Sequence, residues 1–87
     1  MFSDIQPPIV ITCPDNIHMN ATKPTLYVTW DEPEIIDPFG TEMVLSTNYP
    51  EFGFGFNWGI HEVYYTKEKT VNGLSATCQF TVTVYRK

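Results

Sequence analysis

The segment near the C-terminal end constrains the fold most strongly. In residues 76–84, ATCQFTVTV, apolar side chains alternate strictly with threonine or glutamine. Because successive side chains on a strand point to opposite faces, this pattern predicts a β-strand with one apolar and one threonine-rich face. Cys78 lies in the apolar row, and the only other cysteine is Cys13. If the two pair, the last strand is tied to the start of the domain.

Most of the remaining chain also has the sequence character of strands. Five further segments are β-branched or alternating, at residues 9–13, 17–20, 25–30, 42–47 and 60–66. Seven prolines interrupt the chain, and no segment longer than about ten residues shows helical spacing. Residues 34–40 and 67–73 are predicted as connections, the second containing the hairpin dipeptide Asn72-Gly73. Together these features predict an all-β antiparallel sandwich of six to seven short strands.

Size and charge limit the classes of function. We expect residues 1–8 to form a linker or lead-in and residues 9–85 to form one domain, in a piece cut from a longer protein. Ten acidic residues against five basic ones disfavour a nucleic-acid partner, because few cations can replace the counterions of a phosphate backbone. No apolar run approaches the roughly 18 residues of a membrane span, and the N-terminus has no signal-peptide pattern. We therefore expect neither nucleic-acid binding nor membrane insertion.

Two weak signals together favour an oxidising, extracellular location. The triplet Asn20-Ala21-Thr22 is an N-glycosylation sequon, so Asn20 is a candidate glycosylation site in a secreted chain. The two cysteines fit a disulfide in the same setting, although a free pair in a cytosolic protein is also compatible with the sequence.

The ordered set of motifs resembles the hyalin repeat, or HYR domain. Residues 7–17, PPIVITCPDNI, resemble the opening of that domain. The central motif of the family is similar to Val28-Thr29-Trp30 followed by Pro33, Asp37 and Gly40. A later strand of the family is similar to the segment with Phe56, Gly59, Val63 and Tyr65. The C-terminal end of the family pattern is similar to residues 76–84. The resemblance covers residues 4–84. Two features depart from it: Leu74 stands where the family has asparagine, and one residue is inserted between Tyr65 and Cys78.

The resemblance implies an immunoglobulin-like fold with a Cys13–Cys78 bridge. It also implies an extracellular module, often in tandem or beside sushi domains, that is associated with cell adhesion and has no known catalytic residues.

Other chemistry receives less support from the residues. Neither Cys13 nor Cys78 has the nearby second cysteine typical of zinc sites. His18 and His61 lack a recognisable nucleophile motif, so we interpret both as structural or surface residues, with His61 on the inward face beside Val63. Acidic residues crowd positions 31–37 without EF-hand spacing, so calcium there stays an open alternative. We predict no metal and no cofactor.

The aromatic segment before residue 60 is the strongest indication of a binding surface. Phenylalanine and glycine alternate from Phe52 to Phe56, which predicts that the phenylalanines lie on one side. These rings either close one end of the sandwich or form an exposed apolar ridge. The candidate interaction surface consists of Tyr49, Phe52, Phe54, Phe56 and Trp58.

We therefore expect a non-catalytic extracellular interaction module of a larger mosaic protein. Its expected partners are an extracellular or cell-surface protein and neighbouring domains of the parent chain. The alternatives are a passive spacer, or a carbohydrate-binding module that uses the aromatic segment at residues 52–58.

Overall fold

The computed structural model describes residues 6–50 and 53–87, which form an immunoglobulin-like all-β sandwich. In chain order the strands are β1 (Ile9–Thr12), β2 (Ile17–Ala21), β3 (Thr25–Thr29), β4 (Glu34–Ile36), β5 (Met43–Thr47), β6 (Gly53–Asn57), β7 (Gly59–Lys69) and β8 (Ser75–Arg86). The predicted fold class is confirmed.

The strands form one larger sheet and two small ladders. The larger sheet has the order β2-β8-β7-β5, while β1 pairs with β4 and β3 pairs with β6. The pairing of β2 with β8 is parallel, and the other pairings are antiparallel. The long β7–β8 hairpin therefore forms the middle of the larger sheet.

The alternation in β8 builds the core as predicted. Cys78, Phe80, Val82 and Val84 are all buried, and Val63 and Tyr65 of β7 join them on the same face. Because these side chains come from paired neighbouring strands, they bury their apolar surfaces against one another on one side of the sheet.

Trp30 connects the larger sheet to the rest of the core. It follows β3 directly, and its indole Nε1 donates a hydrogen bond to Tyr65 Oη over 2.7 Å. The Tyr65 hydroxyl in turn donates to the backbone carbonyl of Tyr49, at 3.3 Å. The Trp30 ring also packs against Phe80 and Phe56, with centroids 5.6 and 5.9 Å away. The buried polar atoms of both large rings are thus satisfied inside the core.

Two predicted connections are wrong in part. Residues 34–36, predicted as part of a connection, form strand β4, because Ile35 is buried and the segment pairs with β1. The predicted turn at residues 67–73 is shorter than expected, since β7 continues to Lys69. The loop is closed by hydrogen bonds from Lys69 N to Leu74 O (2.8 Å) and from Gly73 N to Lys69 O (3.0 Å). Gly73 has φ of 76°, a conformation that favours glycine.

A disulfide joins Cys13 to Cys78, with the two Cα atoms 5.6 Å apart. Cys13 follows β1, whereas Cys78 lies within β8 on the buried face. The bond therefore crosslinks the β1–β4 ladder to the central hairpin of the larger sheet.

A buried ion pair holds the end of the sandwich where the β7–β8 turn lies. Lys69 is fully buried, and its Nζ lies 2.9 Å from Asp37 Oδ1. The ammonium also donates to the Gln6 carbonyl and lies 5.6 Å from the centroid of the Phe39 ring. Two separate segments, one containing Gln6 and one containing Asp37 and Phe39, thus converge on the Lys69 ammonium.

The Asp37 carboxylate is further held by its own turn. The backbone N–H groups of Phe39 and Thr41 donate to it, at 3.2 and 2.6 Å. Burial alone would raise the pKa of Asp37, but hydrogen bonds from the Thr41 and Lys69 side chains and from these backbone groups outweigh it. The pKa of Asp37 therefore lies well below its ordinary value near 3.8.

Reduction of the disulfide is expected to destabilise the domain strongly. Opening a loop of 65 residues removes about 4 kcal/mol on the chain-entropy estimate. In a domain of this size the melting temperature should fall by about 15 °C or more. Calorimetry of the wild type with and without reductant measures this, and the Cys13→Ser/Cys78→Ser variant, which has no bond to reduce, is the control. Equal melting temperatures for the reduced and oxidised wild type would contradict the expectation.

The ion pair predicts a specific response to acid. Because the pKa of Asp37 is lower in the folded than in the unfolded chain, its contribution is fully present above about pH 4. It is lost as the pH falls toward the folded-state value. Asp37→Asn should therefore be less stable than wild type at pH 7, with a difference that shrinks between pH 4 and pH 2. Melting curves across this range measure the difference, and a constant gap would show that Asp37 does not titrate as described.

Candidate interaction surface

The aromatic segment, which was not among the predicted strands, is largely a strand. Gly53–Asn57 form β6, which pairs with β3 and places Tyr27 opposite Gly55. A Cβ atom at Gly53 would lie 2.5 Å from Tyr27 Oη, and one at Gly55 would lie 3.0 Å from Thr25 Cγ2. The glycines therefore let the side chains of β3 pack closely over β6.

The phenylalanines of β6 lie on the opposite side from that contact. The rings of Phe54 and Phe56 are 5.4 Å apart between centroids, which confirms the predicted shared side for these two. Phe56 is only 1% exposed and belongs to the core, whereas Phe54 is 47% exposed. Phe52 lies outside the described residues. Between Phe54 and Phe56, only Phe54 is therefore accessible to a partner.

Tyr49 extends the exposed surface from Phe54 toward the core. Its ring is half-buried and packs edge-on against Phe54, with centroids 5.0 Å apart, and against Phe56 at 5.2 Å. A cavity of about 280 Å³ lies at this position, lined by Asn48, Tyr49, Pro50 and Phe54. We call Tyr49, Pro50 and Phe54 the aromatic patch.

Asn48, which no motif of the sequence singles out, positions the aromatic patch. Its side-chain amide donates to the Glu62 carbonyl over 2.8 Å and accepts from Tyr64 N over 3.0 Å. The amide thus continues the hydrogen bonding of β5 along β7 for one more step. The only signal in the sequence is an asparagine directly after a strand, whose side chain can replace backbone partners.

Trp58 lies beyond the end of β6 and is engaged in the fold. Its Nε1 donates to the Ala21 carbonyl over 3.0 Å, and the Arg86 guanidinium carbon lies 4.8 Å from the ring centroid. The indole therefore joins the ends of β2 and β8 and does not contribute to the aromatic patch.

Both histidines contact structural partners. His61 Nε2 lies 2.8 Å from the Asn57 carbonyl, and the His61 ring lies 5.0 Å from that of Phe56. His18 Nδ1 lies 3.2 Å from Tyr85 Oη on the outer face of the larger sheet. The half-buried position of His61 agrees with the inward face predicted for it.

The acidic residues at positions 31–37 do not converge on one point. The Asp37 carboxylate is directed to Lys69 and to the backbone of its own turn. Within residues 6–50 and 53–87, no three His, Cys, Asp or Glu side chains are grouped so that they could hold a metal ion. The described residues also contain no helix that is long and apolar enough to span a bilayer.

These features define an all-β, disulfide-bonded module with an exposed aromatic patch. The HYR domain matches residues 3–84, nearly the whole chain, and the chain therefore belongs to the HYR domain family. This is a family of extracellular, non-enzymatic modules that occur in multidomain extracellular or cell-surface proteins. Neither the curated proteins nor the solved structures contain a significant match to the chain.

The different burial of the two phenylalanines predicts different effects on stability. Phe56→Ala should cost about 3–5 kcal/mol, because it empties a core site. Phe54→Ala should cost about 1 kcal/mol or less, because half of that ring is already in water. Urea unfolding of both variants measures the difference. Equal losses would mean that Phe54 is part of the core and not a free surface.

Proposed function

We propose that this domain is a non-catalytic interaction module of a larger extracellular protein, with residues 9–85 as the folded unit. It contacts an extracellular or cell-surface protein through the aromatic patch. The observation that supports this proposal is the exposure of Phe54 beside Tyr49, over an apolar cavity.

The aromatic patch has the properties of the centre of a protein interface. Aromatic residues are enriched at interface cores because they bury a large area with few rotatable bonds. Hydrogen bonds also hold the backbone of the patch in place. Tyr49 N donates to Thr47 Oγ1 over 3.1 Å, and the Asn48 side chain is hydrogen-bonded to β7. A preorganised surface loses less conformational entropy on binding.

A passive spacer is the second candidate. The Cα atoms span 59 × 17 × 16 Å, so the domain is elongated. Gln6 contacts Lys69 beside the β7–β8 turn, whereas Lys87 N donates to Ala21 O at the far end of β8. The described chain thus enters and leaves at opposite ends, which suits a module that sets the distance between its neighbours.

A carbohydrate-binding role receives less support from the position of Trp58. Sugar-binding tryptophans present a free ring face, but Arg86 lies over the Trp58 ring and Ala21 holds its Nε1. A sugar would have to displace the guanidinium to stack on that face.

Binding to intact animal cells tests the proposal. A tetramerised form of the domain, which gains avidity, is expected to bind in flow cytometry. Phe54→Ser should reduce this binding about tenfold or more, since interface aromatics often contribute 2 kcal/mol or more. Val44→Ser is the matched control, because Val44 is exposed on β5 outside the aromatic patch.

Pretreatment of the cells separates the three candidate functions. Loss of binding after protease treatment supports a protein partner. Loss after glycosidase treatment, together with sensitivity to Trp58→Ala and not to Phe54→Ser, would replace the proposal by carbohydrate binding. No binding by the tetramerised domain at any concentration tested would favour the spacer.

We also propose that Asn20 carries an N-linked glycan. Asn20 and Thr22 are both exposed at the end of β2, where a transferase can reach the sequon. In that reaction the Asn20 amide nitrogen loses a proton and bonds the first sugar, while the pyrophosphate-linked lipid carrier of the oligosaccharide leaves.

A further inference from the structure

A second exposed surface lies beside the sequon, on the outer face of the larger sheet. The register of β2 and β8 pairs Asn20 with Tyr85 and His18 with Thr83, and β7 adds Ile60 opposite Thr83. We call His18, Ile60, Thr83 and Tyr85 the sequon patch.

Two large apolar side chains of the sequon patch are exposed, on either side of the buried Thr83. Ile60 is 74% exposed and Tyr85 is 49% exposed, although both belong to a regular sheet. His18 stacks on Tyr85 with an angle of 15° between ring planes and centroids 6.1 Å apart. Adjacent exposed apolar side chains of this kind mark a surface that another group covers.

We propose that the glycan on Asn20 covers the sequon patch, with its first sugar packed against Tyr85. This inference rests on the proposed glycosylation of Asn20. Neighbouring strands are about 4.8 Å apart, so a sugar bonded to Asn20 Nδ2 begins one strand away from the Tyr85 ring.

The chemistry of the two partners is complementary. One face of an N-acetylhexosamine ring presents C–H groups, which pack on the face of an aromatic ring, while its hydroxyl and acetamide groups hydrogen-bond at the edge. Tyr85 offers a hydroxyl and the ring face on which His18 does not stack. His18 holds that hydroxyl at 3.2 Å, so the ring is already oriented.

Tethering favours the glycan over a separate protein as the occupant. A group attached through one side chain has an effective local concentration in the millimolar range or above. It therefore covers the patch ahead of any weak partner from solution. The consequence for function is a division of the surface: the glycan shields the sequon patch, and the aromatic patch stays available for a protein.

The test uses the domain secreted from animal cells and trimmed enzymatically to a single N-acetylglucosamine. Mass spectrometry first establishes occupancy of Asn20. The trimmed protein is expected to melt about 4 °C or more above unglycosylated Asn20→Gln. Nuclear Overhauser cross-peaks between sugar protons and the Tyr85 ring should appear in the trimmed wild type.

Two tyrosine variants separate packing on Tyr85 from a general effect of the sugar. Tyr85→Ala should lose at least half of the stabilisation that the sugar provides. Tyr27→Ala is the matched control, because Tyr27 is exposed on β3, outside the larger sheet, and should retain it.

Each outcome has a distinct meaning. An occupied Asn20 without cross-peaks and without a difference in melting temperature overturns the packing inference and leaves both glycosylation and the aromatic patch standing. An unoccupied Asn20 overturns glycosylation and packing together. Cell binding that depends on Phe54 is measured separately, so the proposed interaction function can fail or hold independently of these results.

Discussion

The Cys13–Cys78 bond is the constraint on which this small sandwich depends. An 87-residue chain buries a modest core, and the second layer consists of two separate two-stranded ladders. Short ladders of this kind are marginal by themselves. The disulfide attaches one ladder covalently to β8, the strand that also supplies the longest row of buried side chains. The Trp30–Tyr65 hydrogen bond and the Lys69–Asp37 pair then hold the sandwich together at two further positions.

This construction explains why two of the three described aromatic residues in the segment 52–58 are unavailable for binding. Phe56 fills the core beside Trp30, and Trp58 joins the ends of β2 and β8. Phe54 packs edge-on against Tyr49 at 5.0 Å and against Phe56 at 5.4 Å, and the rest of its ring stays exposed. Structural support and the proposed binding surface thus come from one alternating segment.

Local patterns predicted the strands well where burial follows a simple period. Alternation in residues 76–84 identified β8 together with its buried face, and the pattern of residues 25–30 identified β3. Prediction was wrong for Glu34–Ile36, because three residues carry no period and β4 exists only through its pairing with β1. Strand β6 (Gly53–Asn57) was not among the predicted strands, since glycine disfavours strands except where a neighbouring side chain, here that of Tyr27, covers the backbone.

The sequence by itself determined the fold class, the family and the two cysteines available for pairing, because these depend on residue type and spacing along the chain. Only the tertiary structure decided which aromatic rings are exposed, that Lys69 is a buried partner of Asp37, and that Tyr85 lies beside Asn20. The physical reason is that exposure and pairing depend on strand register and on the layer that lies opposite. Both are set by contacts between residues far apart in the chain, such as Asn20 and Tyr85.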